Sequence, residues 1–171
     1  VLDLQHYIEK GNFNVCVGGS YIRNSIVRNH RIRFDKSLKL AEDQIFILTA
    51  MSEANRIQSF SKVFYNYFFN EESATNNTRI EDIINGIKAL VALKNSFCVF
   101  ESHCDRMILI FFIDALRKKE CDIPSLSCLF KYSKINAVGV KDKHIKFLLF
   151  MAHLNIRLAL FVTHILLSVG F

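Results

Sequence analysis

Ala41-Glu42-Asp43-Gln44-Ile45-Phe46 sets two adjacent carboxylates directly ahead of an apolar run. From Asp43 onward, Ile45, Phe46, Leu48, Thr49 and Met51 follow helical spacing to about Ala54, so the acidic pair stands at a helix N-terminus. Unpaired N–H groups and aligned peptide dipoles favour negative charge there, and Asp43 is expected to stay ionised. Two readings are open on these residues alone. The pair is an ordinary helix start, or one carboxylate takes a proton from a hydroxyl while its neighbour holds the surrounding chain in place.

Toward the amino terminus, residues 2–10 read as the tail of a helix that stops at Gly11-Asn12. The chain opens on Val1 with no basic-then-apolar secretory signal, as expected of a piece of a longer protein or of an unusual start codon. Residues 13–19 read as a short β-strand running into Gly18-Gly19, a pair that allows close backbone approach or a positive φ. Asn24 or Ser25 caps a short helix through Asn29, and residues 31–35 alternate like a half-buried strand. Residues 56–62 and 63–69 read as two short strands rich in Phe and Tyr. The polar loop 70–78 closes them and is the best internal boundary.

Past that boundary the pattern turns helical. Residues 80–100 form one amphipathic stretch, and residues 104–119 form a second, strongly apolar one. Pro124, the only proline, begins another short helix to about Tyr132. Residues 147–167 approach the length of a membrane span, but Arg157 in the middle costs roughly 2.5–3.5 kcal/mol on insertion scales. An interfacial helix with Lys141, Lys143 and Lys146 at an anionic membrane surface, and a helix docked on its predecessors, are equal alternatives.

The chain has 171 residues, enough for one domain or one domain with a helical extension. A hydrophobic share of 51% is high, but below that of an integral membrane protein. The net charge of +6 favours anionic partners without choosing among diphosphates, acidic lipids and nucleic acid. Five cysteines without a C-x-x-C pair point to buried free thiols in a reducing cytosol, and no metal site is read from them. No phosphate loop, dinucleotide fingerprint, His-Glu-x-x-His or Gly-x-Ser-x-Gly occurs. Phe97, Phe100, Phe111 and Phe112 read as core or docking residues rather than stacking platforms, so nucleic acid is not expected as a partner.

Residues 14–78 carry a further pattern. Gly18-Gly19 is followed by Tyr21-Ile22-Arg23-Asn24-Ser25, Ile32-Arg33-Phe34-Asp35 and Glu42-Asp43-Gln44-Ile45-Phe46. Arg56-Ile57, Tyr65-Asn66-Tyr67 and Ser73-Ala74-Thr75 complete the order. The set resembles the carboxyl-terminal half of a family 2 glycosyltransferase, the inverting GT-A enzymes of bacterial surface-polysaccharide assembly.

The resemblance implies an α/β fold class, with residues 1–78 as the carboxyl-terminal part of a GT-A catalytic domain and residues 79–171 as a helical extension. It implies sugar transfer with inversion from a nucleotide-diphosphate donor to a saccharide or lipid-linked acceptor. Asp43 would be general base and Glu42 its support, with Gly18, Gly19, Arg23 and Tyr67 in substrate contact. No Asp-x-Asp occurs, so Mg²⁺ or Mn²⁺ would be bound by a nucleotide-binding half outside this chain. Phe68-Phe69 stand where many relatives carry an arginine. The implied location is cytoplasmic and peripheral, at the inner face of the cell membrane. The alternative, of a different class, is a non-catalytic remnant or a helical module that docks on a membrane or a partner.

Overall fold

The structure, a computed structural model, describes residues 4–9, 15, 17–58, 60, 65–66, 68, 77–118, 124–125 and 128. The helices delimited among the described residues are, in chain order, α1 (Leu4–Glu9), α2 (Asn24–Asn29), α3 (Glu42–Ser52), α4 (Ile80–Ser96) and α5 (Glu101–Arg117). Two single 3₁₀ turns, Val17–Gly19 and Cys98–Phe100, accompany them. No strand occurs among the described residues, which corrects the α/β expectation and with it the GT-A fold.

Residues 17–19 and 31–35 depart from the expected strands for local reasons, and much of the strands expected over 56–69 lies outside the described residues. Val17–Gly19 closes as a 3₁₀ turn, with Ser20 N donating to Val17 O at 3.1 Å. Residues 31–35 do not alternate across a sheet; they end α2. Arg31 N donates to Arg28 O and Ile32 N to Val27 O, at 3.2 and 3.0 Å. That is a Schellman pair, with Arg31 left-handed at φ 53. It turns Ile32 inward to 5% exposure. Of residues 56–69, the described positions hold only an isolated bridge at Ile57, and Phe60 and Phe68 are exposed. Pro124 and Ser125 are helical as expected, whereas the apolar tail and its lysines lie outside the described residues.

α4 and α5 form the frame. Ile80, Ile83, Ile87, Leu90 and Leu93 make one buried stripe at helical spacing. Cys104, Ile108, Phe111, Phe112 and Ala115 make the facing one. Fully burying each large apolar side chain is worth roughly 1.5–3 kcal/mol, so this interface dominates the core. The helices run antiparallel: Lys94 meets Asp105 near the connection, and Gly86 meets Phe111 a few turns away. Gly86 lets Leu40 approach; a methyl group there would stand 3.3 Å from Leu40 Cβ, Leu40 O and the Phe111 ring.

Asp82 holds the start of α4 by accepting from Arg79 N at 3.0 Å, with Lys39 Nζ 3.8 Å away. That backbone bond first, and the nearby cations after it, keep its carboxyl below the usual range despite burial.

α3 packs across α4 through Ile47 and Leu48, with Leu40 and Ala41 ahead of it. One core therefore takes residues from both sides of the boundary placed after residue 78. Among the described residues no helix is long and apolar enough to cross a membrane.

Candidate functional site

α3 begins without a side-chain cap. Ala41 occupies the N-cap position at φ 67, where Ser, Thr, Asp or Asn would supply an oxygen. The next two carboxylates serve the free first-turn amides instead, and Asp43 Oδ1 accepts from Gln44 N at 2.7 Å. The helix terminus does not set the direction of the shift. Burial raises Asp43 above the usual aspartate range, outweighing its backbone hydrogen bonds. Glu42 is raised too, by burial first and then by the charge of Asp43.

Gln44 connects this helix start to two other segments. Its Nε2 donates to Val15 O at 2.9 Å, which leaves Oε1 facing His103 Nε2 at 2.8 Å. Because Oε1 only accepts, His103 must carry its proton on Nε2. Burial, helped by the charge of Arg106, lowers His103 to about 4, so the ring is neutral at physiological pH.

A concavity lies at the other end of α3. A cleft of about 910 Å³ opens between α2 and the C-terminal turns of α3, with Ile47, Ala50 and Met51 on its floor. Tyr7, Tyr21, Phe60 and Tyr65 wall it, and Arg23 and Arg56 supply positive charge. Neither arginine has a carboxylate partner among the described residues. His30 Nδ1 and Glu53 Oε2 meet at 2.8 Å and tie the end of α2 to the end of α3 at the same place. Such a volume suits a small organic ligand, for which roughly 300–1,000 Å³ is usual.

The residues singled out in the sequence divide between these two places. Gly19 and Arg23 line the cleft. Gly18 lies directly under the Tyr65 ring: a methyl group at Gly18 would stand 2.5–2.8 Å from it. Gly18 thus serves close approach. Glu42 and Asp43 do not line the cleft, although Asp43 shares the α3 stripe of Ile47 and Ala50 one turn earlier. Tyr67 lies outside the described residues.

The sequence reading missed the His30–Glu53 pair and the Gln44–His103 contact. Both join positions far apart in the chain, and no local pattern announces them. Among the described residues no three His, Cys, Asp or Glu side chains come together as metal ligands. Cys104 is buried with its thiol pushed up to about 11, chiefly by desolvation, and is inert packing. Compared with protein-family models, curated proteins and solved structures, the chain matches none.

Proposed function

We propose that this chain is a binding module whose cleft takes a small organic anion. The observation that carries the reading is the placement of Arg23 and Arg56, neither with a carboxylate partner among the described residues, at a cleft walled by tyrosines. Guanidinium groups present fixed donor forks that match phosphate and carboxylate oxygens, and aromatic walls favour a ring attached to the anion. Calorimetric titration with phenyl phosphate and inorganic pyrophosphate tests this. Binding that falls about tenfold or more in Arg23→Gln and in Arg56→Gln supports it. Absence of binding, or affinity unchanged by both substitutions, rejects it.

Glycosyl transfer is a second reading, favoured by the convergence of Gly19 and Arg23 on this cleft. In that reading the organic anion is a sugar-nucleotide diphosphate. Asp43 does not line the cleft, so in this reading it takes the proton of an acceptor hydroxyl that reaches past Ile47 to the first turn of α3, and burial raises its pKa as a general base requires. Asp43→Asn should then abolish transfer from nucleotide-diphosphate sugars while leaving anion binding intact. Full transfer in that variant removes Asp43 from the mechanism.

A further inference from the structure

We infer that the loop between α2 and α3 binds single-stranded nucleic acid, with Phe34 as a stacking platform and Arg28, Arg31, Arg33 and Lys36 as phosphate contacts. Residues 20–40 hold six Lys or Arg against one carboxylate, and the remainder of the chain is balanced to within one charge. Five of the six excess positive charges therefore fall in this segment, four of the cations outside the cleft and away from Asp82.

These four cations are exposed and have no carboxylate partner among the described residues. Lys39 instead faces Asp82. Asp35, the one carboxylate of the loop, is turned onto its neighbour. Its Oδ1 accepts from Ser37 N at 2.9 Å and Ser37 Oγ at 2.6 Å, and those bonds lower its pKa and keep it anionic.

The aromatic geometry decides between partners. The Phe34 ring lies flat on Phe46, with centroids 4.1 Å apart and planes 2° apart, while Phe34 remains 44% exposed. A ring laid flat presents its outer face and can extend the stack by one base. A membrane anchor requires a side chain that projects as a wedge into the headgroups, and a ring lying on its neighbour does not project. The predominance of arginine points the same way, because its fork suits phosphate oxygens. None of the loop's proposed contacts lines the cleft, so the inference is independent of the anion-binding reading.

Fluorescence anisotropy of the full chain with oligo(U) and oligo(dT) of about a dozen nucleotides tests the proposal. Binding of either strand is expected, and a preference reports whether the 2′-hydroxyl is read. Phe34→Leu keeps an apolar cover on Phe46 and should weaken binding roughly 5- to 150-fold, the range of one lost base stack. Heparin, a polyanion without bases, should bind that variant as well as the parent. Combining Arg31→Gln, Arg33→Gln and Lys36→Gln should reduce the slope of log affinity on log salt by about 2.

Should Phe34→Leu fail to fold, Phe34→Tyr must retain binding and the triple variant must lose it. Three results overturn the proposal. They are no binding of either oligonucleotide, binding indifferent to the ring, and capture by phosphatidylserine vesicles through these residues without oligonucleotide binding.

Discussion

Arg31 occupies a position where glycine would be easier. At φ 53 a side chain crowds its own backbone, at a cost of roughly 1 kcal/mol that glycine does not incur. Arg31→Gly should therefore raise stability by about 1 kcal/mol in urea unfolding. If the loop binds a polyanion, the same change weakens that binding, so stability and affinity move in opposite directions.

Asp43 sets a related conflict at the start of α3. Its folded pKa is raised, so in the range above its ordinary value the folded chain holds the proton more tightly than the unfolded chain. Stability from this group is present in acid and declines as pH rises from the ordinary value of 3.8 through the raised one. Asp43→Asn still accepts from Gln44 N and removes that loss. Its melting temperature should exceed the parent's at neutral pH, and the gap should close in acid. A variant less stable at neutral pH would show the ionised carboxylate to be stabilising.

At the scale of elements, periodicity was enough for the helices and misleading for the strands. Residues 80–100 show their apolar stripe plainly, and the structure alters only the end, where Phe97 breaks α4 and Cys98–Phe100 turns into α5. Residues 31–35 alternate too. There the pattern comes from one buried residue, Ile32, beside side chains left outside by a helix cap, and five residues cannot distinguish the two. Of the candidate residues named from the sequence, Gly19 and Arg23 line the cleft and Glu42 and Asp43 do not, whereas Glu53 reaches His30 only because α2 and α3 are packed together.

The α4–α5 pair makes its own prediction. Lys94 Nζ and Asp105 Oδ1 meet at 2.6 Å with side chains 18% and 22% exposed, between a surface pair and a buried one. Lys94→Met strands the carboxylate and should cost roughly 1–3 kcal/mol in urea unfolding. Adding Asp105→Leu should restore much of that loss. No recovery would mean that the lysine acts through its packed stem rather than its charge.

At the scale of the whole molecule, three segments remote in sequence meet through one glutamine. Val15, Gln44 and His103 join the amino-terminal segment, α3 and α5 by two hydrogen bonds, and the imidazole end is buried. The unfolded chain takes up a proton at His103 below about 6.5, whereas the folded chain resists until about 4. The folded pKa is depressed, so the group's contribution is complete above 6.5 and is lost as pH falls through that window. The loss is about 1 kcal/mol at pH 5.5 and about 3 kcal/mol in full. Urea unfolding of the parent at pH 7.5 and 5.5 should show it, while His103→Gln, which can still donate to Gln44 Oε1, should lack this component. The raised carboxylates of α3, Glu42 and Asp43, act with the opposite sign and from a lower starting pH, so Glu42→Gln with Asp43→Asn as background separates the two. If His103→Gln loses stability between the two pH values as steeply as the parent, His103 is not the group that couples this three-segment junction to acid.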